Sequence, residues 1–297
     1  MTEYTIAHLT TLDEFERCVQ LQGAIWGYED NDIVPRRMFL LARKIGGQVI
    51  GAFRSPVEPE AAESVQGREP KNPSANPPAY RMVGFAMALP GFRDGLPYLH
   101  SHMLAVLPDH RNAGLGRRMK LAQRDDAIAR GFHLMEWTFD PLEIKNAFLN
   151  ITKLGAVARR YQPDFYGPSS SPLQAGLPTD RLYAEWWLRS PRVFTALGLT
   201  SGIRAEEPPA PGPSQHVASQ KVPLERVLLP HSIVEWKRNP EFRESLRALQ
   251  QKNSHALQDA FARGLAVIAF ERSDTGDGTY VLGDLKPKDL EPAPSTP

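Results

Sequence analysis

The spacing of apolar and polar positions predicts strands and helices in a regular order along the first third of the chain. Thr11 and Glu14 have the spacing of a capping box, and an apolar stripe at helical spacing that includes Phe15 and Val19 follows them. A helix is therefore expected to begin after Thr11. The other elements predicted in this third are a strand over 4–9, a helix over about 35–46, and strands over 48–54 and 81–89.

The middle of the chain continues with a strand, a basic helix and a second strand and helix. The helix predicted over about 114–130 is followed by Gly131 as its C′ residue. Asp140 is interpreted as the N-cap of a further helix that ends before Gly155, because proline and glutamate occupy its first and third positions. The strands and extended stretches predicted here are 98–107, 132–139, 156–166 and 181–188.

Segments poor in large apolar side chains set the expected domain boundaries. Residues 55–80 are rich in Pro, Glu, Ser and Asn, and residues 204–219 are rich in Pro, so they predict a flexible loop and a linker. We therefore expect a main domain over 1–192 and a small α+β subdomain over 220–290. Residues 291–297 are expected to form a disordered tail.

The predicted subdomain echoes the opening of the chain. The stretch that begins at Ala42 and the stretch that begins at Ala262 both follow a predicted helix and contain a similar apolar strand. The subdomain could therefore repeat the strand, helix and hairpin of the first domain. Its charged helix region carries Phe242, Leu246 and Leu249 as an apolar stripe. Such an extension could complete an acceptor pocket, cover a sheet edge or form a homodimer.

Composition narrows the class of partner and the compartment. The 297 residues carry a formal net charge of +1, which gives no bulk attraction for nucleic acid or an anionic membrane. The single cysteine, Cys18, excludes an intrachain disulfide and suits a reducing cytoplasm. The N-terminus has no signal-peptide pattern, and no apolar run approaches the length of a membrane span.

The strongest chemical signal lies between His100 and Arg118. An apolar strand leads into the loop Arg111-Asn-Ala-Gly-Leu-Gly116, and a basic helix opens at its end. Glycines let the main chain curl, and a helix N-terminus presents unpaired N–H donors. The loop lacks the Gly-Lys-Ser/Thr of a Walker motif, and a methionine stands where a dinucleotide fingerprint has its third glycine. The segment therefore predicts a site for a phosphate-bearing ligand.

This loop matches the pattern R/Q-x-x-G-x-G/A and resembles the pyrophosphate-binding loop of the GCN5-related N-acetyltransferases. The segment 146–156 resembles the helix of that family that precedes its L-G-F turn, and the resemblance covers about residues 4–190. It implies an α+β fold with a splayed, mostly antiparallel sheet flanked by helices. The residues after it form the small C-terminal α+β extension.

The resemblance also implies acetyl-CoA as co-substrate, without a metal. The strand would pair with pantetheine, the loop N–H groups would hold the pyrophosphate, and an amide on the following helix could reach the cofactor or face solvent. The implied cofactor residues are Met103, Leu104, Ala105, Val106, Arg111, Asn112, Ala113, Gly114, Leu115, Gly116, Arg117 and Asn146. Lys120 and Arg124 share a helix face with Arg117, so they are expected to be solvated or to meet the 3′-phosphate.

His100 and His102 are the candidate bases. In an alternating strand both imidazoles point to one face. Paired histidines on this strand help to remove the substrate's proton in a member of the family, and a pKa near neutrality suits that step. The alternatives are structural histidines or zinc ligands, and zinc is disfavoured because no Cys or Glu partner is near.

The family's general acid is a tyrosine four residues before the turn glycine, and this chain has Ile151 there. Tyr161 is the replacement candidate. The resemblance implies direct transfer of an acyl group, acetyl first, to a small-molecule or peptide amine. The alternative is a catalytically silent CoA-binding or protein-interaction module.

Overall fold

The computed structural model describes residues 4–28, 32–54, 81–169, 171–199 and 224–290. The predicted loop at 55–80, the linker at 204–219 and the tail at 291–297 lie outside these residues. The predicted domain boundaries remain predictions.

Up to residue 187 the helices and strands follow the predicted order, and the helix over Pro191–Leu197 is not among the predicted elements. The strands are β1 (Tyr4–His8), β2 (Gln48–Arg54), β3 (Arg81–Arg93), β4 (Leu96–Val106), β5 (Leu134–Phe139), β6 (Tyr161–Gln162), β7 (Arg181–Trp187), β8 (Glu225–Leu229), β9 (Ala266–Arg272) and β10 (Gly278–Gly283). The helices are α1 (Leu12–Trp26), α2 (Arg36–Lys44), α3 (Leu115–Ala129), α4 (Ile144–Ala147), α5 (Pro191–Leu197), α6 (Ile233–Trp236) and α7 (Arg243–Ala262).

The strand order confirms the predicted fold class. A seven-stranded sheet has the order β1-β2-β3-β4-β5-β7-β6, and a three-stranded sheet of order β8-β10-β9 follows in the C-terminal extension. β4 and β5 pair in parallel, whereas β1–β2, β2–β3, β5–β7 and β6–β7 pair antiparallel. The protein is therefore a mixed α+β fold, and its order of elements is the one that the family resemblance implies.

The chain divides into two compact units. One contains the described residues of Met1–Pro90 and Ser101–Asp125, and the other contains those of Gly91–His100 and Asp126–Pro297. In the first unit the predicted capping box is present, because Glu14 N donates to Thr11 Oγ1 at 3.2 Å and Thr11 N donates to Glu14 Oε2 at 2.9 Å. It starts α1 at the predicted place.

Two apolar clusters build the core of the first unit. One joins α1 and α2 to the sheet through residues such as Phe15, Phe39 and Met103. The other joins α3 to the sheet through residues such as Leu115 and Val106. The helices are therefore held to the strands through two separate clusters of apolar side chains, and the burial of each cluster stabilises the fold.

In the second unit, β5 and β7 carry a buried tryptophan that fixes the segment after β5. Trp186 is fully buried, and its Nε1 donates to the Leu154 carbonyl oxygen at 2.7 Å. The segment begins with α4 and widens into π-helical turns over Phe148–Lys153. The helix thus starts at Ile144, and the prediction that Asp140 is its N-cap is wrong. Asp140 Oδ1 instead accepts from Leu142 N at 2.8 Å and closes a turn.

The C-terminal extension packs within the second unit against residues 141–158. Val267 N donates to the Ala158 carbonyl oxygen at 2.8 Å, Thr152 Oγ1 donates to that of Phe270 at 2.7 Å, and buried Tyr280 donates its hydroxyl proton to Pro141 at 2.8 Å. In the parts of the chain that the structure describes, no helix has the length and apolarity needed to cross a membrane.

Candidate active site

The loop after β4 has the backbone shape of an anion-binding turn. A short 3-10 turn over Pro108–His110 leads to Asn112 and Gly114, whose φ angles of 63° and 73° are left-handed. The helix α3 begins one residue later, and the first N–H groups of a helix have no acceptor within it. A Cβ added to Gly114 would meet nothing within 4 Å. The loop is therefore open above a helix N-terminus, where the helix dipole favours negative charge.

Arginine side chains hold the loop to the strand end. Arg111 Nε donates to the Val106 carbonyl oxygen at 3.0 Å, so its guanidinium is fixed where β4 ends. Arg118 Nη2 donates to the Tyr4 carbonyl oxygen at 2.7 Å, which ties the first turn of α3 to β1. Each of these two guanidinium groups is thus fixed by a backbone carbonyl oxygen, Arg111 at the end of β4 and Arg118 at β1.

His110 lies at the end of the short turn before this loop and does not add to its positive charge. Its Nδ1 lies 2.9 Å from the Tyr4 hydroxyl oxygen, and the two rings meet edge to face. Burial, together with the charges of Arg54 and Arg81, lowers the pKa of His110. The imidazole is therefore held neutral at physiological pH, and the cations around it are arginines.

The strand that carries the candidate histidines is irregular. Lys120 Nζ on α3 donates to Ser101 Oγ at 2.8 Å, whereas Met103 packs in the cluster of α1 and α2. Residues two apart in a regular strand point to the same face. The alternation is therefore broken between Ser101 and Met103, as at a β-bulge, and the period-two argument for a shared face of His100 and His102 does not apply across this stretch.

Both candidate histidines are half-buried on β4. Burial lowers the pKa of His102, so its neutral, proton-accepting form extends below the ordinary titration range of histidine. His100 is the register partner of Glu136 on β5, one of two residue pairs, with Leu99 and Met135, through which β4 and β5 pair. Met103, Leu104, Ala105 and Val106 lie beyond this short pairing.

Lys120 lies in the core and not on the solvated face that its sequence position predicts. It is 4% exposed, and burial lowers the pKa of its ammonium well below the usual range. Ser101 Oγ, its hydrogen-bond partner, donates in turn to Gln123 Oε1 at 3.0 Å. Arg124 is buried as well, so neither residue supports the expected contact with a 3′-phosphate.

The helical segment after β5 carries two side-chain amides. At the position where the resembled family has its general acid, it has no hydroxyl group. Asn146 is exposed on α4, and Asn150 is buried one turn later. Ile151 is 1% exposed, so an apolar side chain is packed where the family has a tyrosine. The π-helical turns close through Leu154 N, which donates to the Leu149 carbonyl oxygen at 2.9 Å.

The hydroxyl of Tyr161 is hydrogen-bonded to a carboxylate. Its hydroxyl donates to Asp180 Oδ2 at 2.5 Å, and burial together with this bond raises its pKa. The remaining oxygen of Asp180 accepts from Asp164 N at 3.0 Å. A phenol held in this way is a weak proton donor, which disfavours Tyr161 as the general acid.

Comparisons with known proteins place the chain as follows. No protein-family model and no curated protein matches it. Among solved structures, the ribosomal-protein-S18-alanine N-acetyltransferase of Escherichia coli aligns over 62% of this chain and 92% of its own, with 14% identity and a TM-score of 0.42. The yncA protein of Salmonella typhimurium, solved with its cofactor acetyl-CoA, aligns over 62% of this chain and 94% of its own, with 15% identity and a TM-score of 0.43.

A protein of Arabidopsis thaliana in complex with a bisubstrate analogue also aligns, over 61% of this chain and 97% of its own. Its identity is 11% and its TM-score is 0.42. The function proposed below rests on the residues of this chain.

Proposed function

We propose that the protein is an acyl-CoA-dependent N-acyltransferase, with acetyl as the acyl group, that transfers it directly to an amine in a ternary complex. The observation that carries the proposal is the open turn at Gly114 in front of α3. Its left-handed backbone and the first-turn N–H groups form a concave donor surface of the kind that binds phosphates. The positive charge of Arg111, at the start of the loop, adds to the attraction of this surface for an anion.

The residues of the first unit fit the cofactor that the resemblance implies. The loop Arg111–Gly116 and Arg117 would hold the pyrophosphate, and the backbone of Met103–Val106 would accompany the pantetheine. An acyl-CoA supplies a thioester, whose acyl group is activated toward amines. No step in this assignment needs a metal ion, and the donors are backbone N–H groups and guanidinium groups.

Catalysis by the chain itself then consists of proton removal from the acceptor. An ammonium group cannot attack a carbonyl, so the amine must be neutral before the C–N bond forms. His102 is neutral near physiological pH because burial lowers its pKa, and it can accept that proton. His100 is the second candidate base. The acceptor class under this proposal is a small-molecule or peptide amine.

The test compares two glycine-to-glutamate variants that should introduce similar backbone strain. Gly114 and Gly131 flank α3, both have positive φ (73° and 83°), and a Cβ at either meets nothing within 4 Å. Gly114→Glu and Gly131→Glu should therefore cost similar backbone strain, about 1–2 kcal/mol each. Only the first places a carboxylate in the proposed anion seat.

Calorimetric titration with acetyl-CoA, CoA and a longer acyl-CoA should show binding to the wild-type protein and to Gly131→Glu. Gly114→Glu should raise the Kd roughly 100-fold or more, which corresponds to about 2.7 kcal/mol. Circular dichroism and the midpoint of thermal unfolding should match between the two variants. Equal acetyl-CoA affinity of the folded variants would refute the cofactor assignment.

The second candidate function is a CoA-binding module without catalysis. One observation favours it, namely that among the described residues no general acid is available at or near the position of Ile151. Ile151 has no proton to donate, and the Tyr161 hydroxyl is bound to Asp180. The two functions separate in one assay: the module binds acetyl-CoA, but it releases no CoA thiol when amines are added.

A further inference from the structure

One face of the sheet in the second unit carries a row of polar residues that sequence reasoning missed. His100 pairs in register with Glu136, and Glu136 pairs with Glu185 on β7. Register partners on neighbouring strands point to the same face. The next row on this face is Thr138 and Tyr183. The candidate base His100 therefore shares a sheet face with two glutamates.

The two glutamates are buried and held by arginines from outside their strands. The side chains of Glu136 and Glu185 are 2% and 1% exposed. Arg93 contacts Glu136, Arg160 Nη2 donates to Glu136 Oε1 at 2.8 Å, and Arg159 Nη2 donates to Glu185 Oε2. Buried carboxylates placed side by side repel each other, and these guanidinium groups offset that repulsion.

The arginines are fixed as well as paired. The Arg160 guanidinium lies 4.2 Å from the centroid of the Tyr183 ring, and Arg93 lies 6.0 Å from that of Tyr98. Even so, the Arg160 and Arg159 side chains remain 39% and 41% exposed. Each guanidinium has five N–H donors, of which the glutamates use only part. The face thus presents guanidinium groups whose orientation is set before any ligand arrives.

Charge balance on this face favours an anion. Three guanidinium groups surround two carboxylates, which leaves one positive charge in excess. Asp94 is 3.8 Å from Arg93, but it is 90% exposed and therefore largely screened. Next to the face, the rings of Phe165 and Tyr166 are 37% and 47% exposed. A ligand that combines an anionic group with apolar surface fits these neighbours.

We propose that this face selects acceptor amines that also carry a carboxylate, that is, free amino acids, with Arg159 and Arg160 binding the carboxylate. The planar guanidinium fork matches a carboxylate through two parallel hydrogen bonds, a geometry that an ammonium group does not offer. The inference rests on the proposed acyl transfer, because it names the acceptor of that reaction.

The experiment uses the full chain and matched pairs of acceptors. Acetyl transfer is measured as CoA thiol release with glycine, alanine, phenylalanine, lysine and glutamate, and with the amide of each. Phosphoethanolamine tests whether a phosphate can replace the carboxylate. The variants are Arg159→Gln and Arg160→Lys, and the second keeps a positive charge beside the buried glutamates, so it should fold. Arg247→Gln on the exposed side of α7 is the control.

We expect at least one amino acid to exceed its amide in kcat/KM by roughly tenfold to 100-fold, the range for a hydrogen-bonded charged group. Arg159→Gln and Arg160→Lys should reduce that ratio toward one by lowering the rate with the carboxylate, whereas Arg247→Gln should preserve it. Binding of the N-acetylated amino acids and their amides is measured by calorimetry in parallel.

Three results would overturn the inference: amides used as well as acids, a preference that both arginine variants retain, or a preference for phosphoethanolamine. The inference would also be overturned if the protein binds acetyl-CoA but neither acetylates any of the amino acids nor binds any of their N-acetylated products. Loss of acetyl-CoA binding itself would instead refute the proposed function, so the two failures are distinguishable.

Discussion

Lys237 holds the C-terminal extension to the end of β5, and its removal gives the sharpest test of how the second unit is stabilised. Its Nζ lies 2.7 Å from Asp140 Oδ2 and 2.5 Å from Glu143 Oε1. The Lys237 and Asp140 side chains are 12% and 15% exposed, whereas Glu143 is 42% exposed. We predict that Lys237→Met, which keeps the apolar stem, destabilises the second unit.

The expected loss follows from these exposures. Removing one partner of a buried ion pair costs about 3–5 kcal/mol because it leaves an uncompensated charge. The Asp140 carboxylate keeps its hydrogen bond from Leu142 N, and the exposed Glu143 pair contributes at most about 1 kcal/mol. We therefore expect a loss of about 2–4 kcal/mol for Lys237→Met. The exposed Lys252→Met on the same extension should stay within about 0.5 kcal/mol of wild type.

Urea unfolding followed by tryptophan fluorescence measures this loss. Of the five tryptophans, only Trp26 lies in the first unit, so the signal reports mainly on the second. Asp140 and Glu143 raise the pKa of Lys237 against the opposing effect of burial. The stabilisation is therefore complete below the ordinary lysine pKa, including neutral pH, and is lost only as the pH rises through the raised value.

A double-mutant cycle with Asp140→Asn decides between an ion pair and simple packing. Asparagine keeps the oxygen that accepts from Leu142 N but removes the charge that Lys237 neutralises. The cost of Lys237→Met should then fall by at least about 1 kcal/mol in the Asp140→Asn background. A cost no larger than that of Lys252→Met, or an unchanged cost in both backgrounds, would refute the reasoning.

Two further predictions concern titratable groups. Because burial lowers the pKa of His102, its neutral form persists to a lower pH than that of an exposed histidine, and His102→Ala should lower kcat/KM by roughly 10²–10⁴-fold, most strongly at the acidic end of a pH profile. The exposed His133→Ala should leave the profile unchanged, and a loss for His102→Ala that is equal at every pH would contradict a base role. Burial raises the pKa of Cys18 to about 12, so a thiol reagent should label it only in urea; rapid labelling of the native protein would show that the core of the first unit opens readily.

Local patterns in the sequence predicted the elements that local physics controls. The capping box of Thr11 and Glu14 starts α1 where expected, and Gly131 has the positive φ expected of a residue that ends a helix. The helix predicted over about 114–130 occupies Leu115–Ala129. In each case the signal is a residue whose neighbours within four positions determine the hydrogen bonds.

Contacts between residues far apart in the chain explain why the sequence-based predictions for Asp140 and Lys120 were wrong. Asp140 has the spacing of an N-cap, but its carboxylate closes a turn and binds Lys237, which lies 97 residues later in the chain. Lys120 has the period of a solvated helix face, but it reaches Ser101 beneath the helix. Neither partner is marked by any local pattern, so no reading of periodicity could have found it.

The C-terminal extension shows the same limit for topology. Its order of strand, helices and two strands repeats the opening of the chain, as the echo at Ala42 and Ala262 predicts. The pairing differs: β8 pairs with β10, whereas β1 pairs with β2. Element order depends on periodicity, but strand order depends on which edges meet, and the two arrangements have nearly the same sequence pattern.

The absence of a tyrosine at Ile151 bears on which step the protein must assist. The leaving group of the proposed reaction is a thiolate, and a thiol with a pKa near 8.5, roughly that of cysteine, departs without prior protonation. An amine with a pKa near that of lysine, about 10.4, is by contrast almost entirely protonated at neutral pH. Removing its proton is the harder requirement, so losing the acid costs less than losing the base. The proposed enzyme can therefore act with Ile151 packed in the core and Tyr161 bound to Asp180, provided that a histidine on β4 accepts the proton.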